Sequence, residues 1–565
     1  MFDLKSLFPY AFNKRYEKPV AYFSMEFGID QALKIYSGGL GFLAGSHLRS
    51  AFELQQNFVG IGILWKYGYY DQERNMDGTM KASYIEKNYS FLTDTGIVFP
   101  ITIHNHTVQV KAWLLRPEVF QTAPLFLLST DLPQNDHLAQ TISHRLYDPH
   151  ESARIAQSIL LGSGGAKLLD IIGRETEIYH LNEGHGLPAC FYLWNKYNDL
   201  AEVRKRMVFT THTPEEAGNE SHGLHTLEVM SFFDNVPREQ YMQLVEEGET
   251  SLNYTLAALR MSQRANGVSV MHGAVSREMW DGFGDICEIT EITNAQNRKF
   301  WMDESLERAL ALNDNSTLAS RKRAMKRALI DVVANQTGKI FREDVLTIVW
   351  SRRFAGYKRA NLLLRDFDRF VKLVTDMQQP VQIVWAGKPY PEDYDSIAMF
   401  NDIIKRTLPF ANCAVLTGYE IGLSRILKRG ADVWLNNPRI YREASGTSGM
   451  TAAMNGALNF SIPDGWVPEF ARHGENCFVI PVAESAGTRE EQDDLEAAAM
   501  LDMLEQEVRK TYYEYPDRWY RMVGQSMKHI LPYFDSNRMA HEYYEKMYLV
   551  PEQVARPGRR ELVAD

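Results

Sequence analysis

Short apolar runs rich in β-formers alternate along this chain with longer helix-period segments, and that alternation restricts the fold more than any other feature. Strand candidates lie at 20–27, 58–64, 207–211, 345–350, 381–386, 414–416, 432–435 and 478–482; helix-period segments lie at 153–172, 317–335 and 393–408. Strands that return to parallel neighbours through helices build sheets covered on both faces. A chain of 565 residues is too long for one core. Two doubly wound α/β halves with a cleft between them form the simplest architecture, with ligands at the carboxyl ends of the strands. The basic helical stretch 321–334 runs into Gln336-Thr337-Gly338-Lys339, a helix stop, just before the strand at 345–350. The expected division is therefore 1–338, 339–540, and a C-terminal helix with polar tail at 541–565. Helices are expected at 490–515, 518–533 and 541–548, and a frayed end at 556–565.

Composition excludes several classes of function. Hydrophobic residues make up 45% and charged residues 24%, as in an ordinary globular protein. A net charge of −11 argues against a nucleic-acid or anionic-membrane partner, which needs clustered Lys and Arg. Cys190, Cys287, Cys413 and Cys477 are scattered without metal-ligand spacing and read as buried thiols of a reducing compartment, so no metal is expected. The start Met1-Phe2-Asp3-Leu4-Lys5 lacks the pattern of a signal peptide, and no apolar run reaches 18 residues. The expected location is the cytoplasm.

Several segments carry chemistry. Tyr36-Ser37-Gly38-Gly39-Leu40-Gly41 opens a helical stretch, where glycines let a phosphate approach backbone N–H groups; alone it is equally a tight turn. Ser351-Arg352-Arg353-Phe354-Ala355-Gly356-Tyr357-Lys358-Arg359 follows a strand, so its cations fit an anionic group at the strand's carboxyl end, or else form a solvated loop. His180-Leu181-Asn182-Glu183-Gly184-His185-Gly186 and Thr210-Thr211-His212-Thr213-Pro214 each end a strand-like run. Glu443-Ala444-Ser445-Gly446-Thr447-Ser448-Gly449-Met450-Thr451 combines glycines with hydroxyls in a backbone-donor nest suited to polyhydroxyl or phosphate groups.

These blocks, with Tyr22-Phe23-Ser24-Met25-Glu26-Phe27-Gly28 and Ile292-Thr293-Asn294, resemble in order those of the α-glucan (glycogen, starch, maltodextrin) phosphorylases, from about residue 20 to about 466 and in the short bacterial and archaeal form. The resemblance implies a GT-B glycosyltransferase fold of two Rossmann-like domains facing a cleft. By resemblance Arg353 and Lys358 bind the substrate phosphate, Gly38 and Gly39 touch phosphate and sugar, and His212 faces the transferred sugar. Asn294 binds its C6 hydroxyl, Glu443 its C3 hydroxyl, and the amides of Ala444, Ser445 and Gly446 line the same sugar. Arg352 and Thr447 lie against the phosphate of the family's cofactor, pyridoxal phosphate. Partners implied are α-glucan or maltooligosaccharide and phosphate or a sugar phosphate; a homodimer is left open.

The chain departs from the family at Ser46, Ala295, Tyr390 and, above all, Thr451, which stands where the cofactor's lysine belongs. Threonine has no amine to form an imine. No lysine occurs between Lys428 and Lys510 to replace it. Covalent pyridoxal phosphate is therefore not expected, while non-covalent binding stays open. Three readings remain: a retaining α-glucosyl transferase without a Schiff base, including one fed by a nucleotide sugar; a non-catalytic glucan-binding relative; and an enzyme of the same fold acting on another sugar phosphate.

Overall fold

The computed structural model describes residues 6–215 and 218–549. The start at 1–5 and the tail at 556–565 lie outside them. The chain divides into two compact units: residues 1–69, 84–294 and 536–565 form the first, and residues 70–83 and 295–535 the second.

The first unit is built on a nine-stranded sheet. Its spatial order is Glu288–Glu291, Arg264–Gly267, Met207–Thr210, Ile178–Asn182, Val20–Phe23, Phe58–Ile63, Leu125–Ser129, His106–Leu115 and Thr93–Ile103. The first seven run parallel, and the last two add an antiparallel edge. The central strands are buried along their whole length, which is why they read as apolar runs rather than as alternating ones. The chain order reverses between Val20–Phe23 and Ile178–Asn182, and loops diverging at such a point leave a crevice at the strands' carboxyl ends.

The second unit carries an all-parallel sheet of six strands: Cys413–Leu416, Val381–Ala386, Leu346–Ser351, Val433–Asn436, Leu458–Ser461 and Cys477–Val479. Counted along the chain, this is the order 3-2-1-4-5-6 of the dinucleotide-binding folds. The order reverses between Leu346–Ser351 and Val433–Asn436, so the loops beginning at Arg352 and Asn437 sit at the switch point. A short hairpin, Asp71–Arg74 with Met80–Ser83, also belongs to this unit. Gln72 holds it there, donating to the Gly387 carbonyl at 3.0 Å and accepting from the Gly418 N–H at 3.1 Å.

The expected boundary at 338/339 falls instead at 294/295. The helix Asn315–Thr337 does end at Gly338, in the left-handed region at φ +70°. It belongs, however, to the second unit, because its buried face carries two lysines that bond only there. Lys322 Nζ donates to the carbonyls of Arg429 (2.9 Å), Ala431 (2.8 Å) and Asn455 (3.0 Å). Lys326 Nζ meets Asp432 Oδ2 at 2.5 Å. The C-terminal helix Ser536–Tyr543 and the turn Tyr544–Tyr548 are likewise not a separate piece but part of the first unit. Tyr548 Oη lies 2.6 Å from His180 Nδ1, and the Tyr543 ring stacks on His47 at 5.1 Å. No helix among the described residues is long and apolar enough to cross a membrane. Cys190, Cys413 and Cys477 are buried, Cys287 is half-buried, and all four are free thiols.

Lys322→Met strands three buried carbonyls that now share one ammonium. The expected cost is about 2–4 kcal/mol in urea unfolding, against less than about 0.5 kcal/mol for the exposed neighbour Arg323→Met.

Candidate active site

In the second unit the loop after Leu346–Ser351 continues in an extended path beside the next strand. The Arg352 N–H donates to the Ala386 carbonyl at 3.2 Å and the Phe354 N–H to the Lys388 carbonyl at 3.3 Å. Side chains alternate along extended backbone. Arg352 and Phe354 therefore turn inward, and Arg353 is exposed. Phe354 packs edge-on against Trp350 and Phe400, each 4.8 Å away. Gly387 makes the close approach possible: a Cβ there would lie 1.8 Å from the Arg352 carbonyl oxygen.

The two switch-point loops are fastened to each other. Asn437 accepts from Trp350 Nε1 at 2.9 Å and donates to the Arg359 carbonyl at 2.9 Å. Arg359 donates back to the carbonyls of Asn437 (2.9 Å) and Pro438 (2.8 Å) and pairs with Glu496 at 2.6 Å. The basic run thus divides its labour, with Arg359 as its structural member.

Arg352 and Lys358 converge on Glu443. Lys358 Nζ lies 2.9 Å from Glu443 Oε1 and 3.2 Å from Oε2, Arg352 Nη2 bonds Oε2, and Tyr357 Oη lies 3.4 Å from Oε1. Burial brings the Arg352 guanidinium down to about 10. Burial, then the charges of Arg352 and Arg353, push the Lys358 ammonium well below its ordinary range. The touching carboxylate of Glu443 opposes that fall. Beneath them Asp464 gathers the loop: its Oδ2 accepts the N–H groups of Glu443 (3.0 Å) and Arg442 (3.1 Å), and its Oδ1 that of Gly465 (2.9 Å). Burial raises the Asp464 carboxyl to about 6. Nothing in the sequence marked Asp464, since its partners are backbone amides, two of them more than twenty residues away.

Beyond Glu443 the segment folds as a tight nest. Ala444 is half-buried, Ser445 is buried with its carbonyl accepting the Trp466 N–H at 3.1 Å, and Gly446 sits at φ +77°. Thr447 precedes the helix Ser448–Met454. Gly449 admits no side chain, because a Cβ would meet Asn459 Oδ1 at 2.4 Å. Thr451 is fully buried, and its hydroxyl donates to the Ser448 carbonyl at 3.0 Å. A cavity of about 10 Å³, room for one water, lies among Arg352, Glu443, Gly446, Ser448, Gly449 and Trp466.

The first unit brings its own candidates to its switch point. Gly38 caps the helix Gly39–Glu53, but its N–H is committed to the buried Glu26 carboxylate at 3.1 Å, beside that of Ser37 at 2.6 Å. The donor loop expected to meet a phosphate is therefore closed over Glu26, which also accepts from Tyr147 Oη at 2.8 Å. At Gly39 a Cβ would meet nothing within 4 Å. His212 Nε2 donates to Asn182 Oδ1 at 2.7 Å, and the His212 N–H donates to Glu183 Oε2 at 2.8 Å. Burial, with His272 and His185 nearby, lowers the imidazole to about 3, so His212 is neutral near pH 7. Glu183 has φ +72°, a strained backbone of the kind that collects at functional sites. The residue's place at a strand end was visible in the sequence; its strain was not. Asn294 is buried, with its N–H on the Val268 carbonyl at 2.9 Å and its Oδ1 lacking a hydrogen-bond partner.

No family model matches the chain. It is 46% identical to an uncharacterized protein of Methanocaldococcus jannaschii, over 94% of this chain and all of that protein. It is 34% identical to the maltodextrin phosphorylase of Thermococcus litoralis, over 94% of this chain and 71% of the relative. It is 30% identical to the glycogen phosphorylase of Aquifex aeolicus, over 95% and 87% respectively. The chain belongs to the glycogen and maltodextrin phosphorylase family. Its two parallel-sheet units accord with the two-domain α/β glycosyltransferase fold of GT-B type.

Asp464 titrates with a sign opposite to most carboxylates. Its folded pKa is raised, so between about pH 4 and pH 6 the folded chain binds the extra proton, and this contribution to stability falls as pH rises through that window. Asp464→Asn lacks the titration. Unfolding curves from pH 4 to 7 are expected to show the wild type losing up to about 3 kcal/mol relative to the variant.

Proposed function

We propose that this chain is a retaining α-glucosyl transferase that acts on α-1,4-glucan with a phosphate-bearing glucosyl donor and without Schiff-base pyridoxal phosphate. The observation carrying this reading is the convergence of the buried Arg352 and Lys358 on one carboxylate at the switch point of the second unit. Two buried cations in a strand-end crevice suit an anionic substrate group. The maltodextrin and glycogen phosphorylases among the relatives support glucan and phosphate as the substrate classes.

In this reading Lys358 holds the phosphate together with Arg352, which takes the part that the resemblance gave to the exposed Arg353, and Glu443 with the amides of Ala444, Ser445 and Gly446 holds the sugar. In the phosphorolytic direction the glycosidic C1–O4 bond breaks, a phosphate oxygen bonds C1 and the phosphate's proton passes to O4. His212 is neutral, with Nε2–H committed to Asn182, so it orients and donates no proton to O4.

Pyridoxal phosphate fits these residues poorly. Thr451 offers no amine, and its hydroxyl is spent on the Ser448 carbonyl. A second reading, a nucleotide-sugar donor, gains from the 3-2-1-4-5-6 strand order of the second unit.

A donor screen with maltooligosaccharide separates these readings, comparing phosphate, glucose 1-phosphate and nucleotide glucoses, with and without added pyridoxal phosphate. Glucan binding with no turnover on any donor would instead favour a non-catalytic relative. Purified protein is expected to lack imine absorbance, and a stoichiometric cofactor adduct in its mass spectrum would sink that expectation. Lys358→Ala is expected to weaken glucose 1-phosphate binding by about 1.5–3 kcal/mol, the worth of a charged hydrogen bond. Unchanged affinity would move the anion site elsewhere.

A further inference from the structure

The pair read above as the phosphate site already holds an anion of the chain's own. Lys358 and Arg352 together take both oxygens of Glu443, and all three side chains are nearly buried, at 11%, 6% and 10% exposure. Asp464 adds a second carboxylate below them, 2% exposed. With the exposed Arg353, whose charge also reaches Lys358, three cations face two carboxylates. A phosphate dianion entering this cluster unchanged would leave excess negative charge in a dehydrated space, where like charges repel more strongly than in water.

The Glu443 backbone is pinned through its N–H on Asp464, whereas its carboxylate is held by side chains alone, and the residue lies two positions after the exposed Tyr441 at φ +64°. Arg352 also keeps one buried nitrogen, Nη1, with no hydrogen-bond partner, and so has donor capacity the carboxylate does not use.

We propose that Glu443 is an internal counter-anion which the donor's phosphate displaces from Arg352 and Lys358, making this residue a determinant of which anions the site accepts. The proposal rests on the reading of Arg352 and Lys358 as the phosphate site. A tethered carboxylate competes at high effective concentration. Singly charged anions lose to it. A phosphate dianion, with twice the charge and a further oxygen for Arg352 Nη1, wins. The displaced carboxylate is then released toward the sugar, so that anion binding prepares the sugar site.

The test is isothermal titration of inorganic phosphate, with nitrate as the singly charged probe, into the full chain at pH 7 and constant ionic strength. Glu443→Gln keeps the shape and removes the competing charge; it is expected to bind phosphate at least tenfold more tightly than wild type and to bind nitrate, which wild type does not. Glu443→Asp is expected to fall between them and serves if the glutamine variant does not fold, as judged by thermal unfolding. Lys358→Ala in the glutamine background is expected to abolish the gain. Equal or weaker phosphate binding by a folded Glu443→Gln overturns the displacement while leaving the phosphate site intact, provided that binding still depends on Lys358. A gain that survives Lys358→Ala also overturns it, because the anion then binds elsewhere. Absence of phosphate binding in wild type and variants alike overturns both the displacement and the phosphate-site reading.

Discussion

The buried charge cluster of Arg352, Lys358, Glu443 and Asp464 is the constraint on which the second unit's crevice depends. Taking two cations out of water costs several kcal/mol each unless anions meet them. The fold supplies those anions from a loop that Asp464 itself arranges through three backbone N–H groups. The cluster therefore ties together elements far apart in sequence: the end of Leu346–Ser351, the turn before Gly446, and the residues after Leu458–Ser461. Arg359 and Asn437 lock the same loops by bonds to backbone carbonyls, leaving Arg352 and Lys358 clear for charge.

The first unit solves a similar problem with similar means. Its strand order also reverses around its first strand, and a buried carboxylate, Glu26, again sits at the reversal and collects backbone donors, here from Ser37 and Gly38. A parallel sheet leaves N–H groups pointing into the crevice wherever loops part, and such groups need an acceptor. A side-chain carboxylate is the acceptor available before any ligand arrives. Both glycine-rich segments are thus organised around an internal acid.

Much of the architecture was legible because fully buried parallel strands are written as unbroken apolar runs. The strand expected at 381–386 is observed as Val381–Ala386, and those near 20, 58, 207 and 345 differ only at their ends. The antiparallel edge, Thr93–Ile103 with His106–Leu115, went unread because one face is solvated and the apolar signal is halved. The domain boundary was misjudged because helical period does not say which sheet a helix will cover; Lys322 and Lys326 decide that through carbonyls and an aspartate remote in sequence. Within the site, the motifs named Arg352, Lys358 and Glu443, which meet, and Arg353, which the alternation of extended backbone turns to solvent. Glu26, Glu183 and Asp464 were not nominated, since acceptors of backbone amides have no spacing rule.

Thr451 fits this picture on physical grounds of its own. It lies in a helix whose neighbours Met450, Ala452, Ala453 and Met454 are all fully buried. A lysine in such a place, with no partner to consume its amine, would bury an uncompensated ammonium among apolar side chains. Threonine avoids that cost by returning its hydroxyl to the Ser448 carbonyl within the same helical turn. Helix packing thus accounts for the threonine at 451, while a few residues earlier Glu443 meets the Arg352 and Lys358 cations from within the chain.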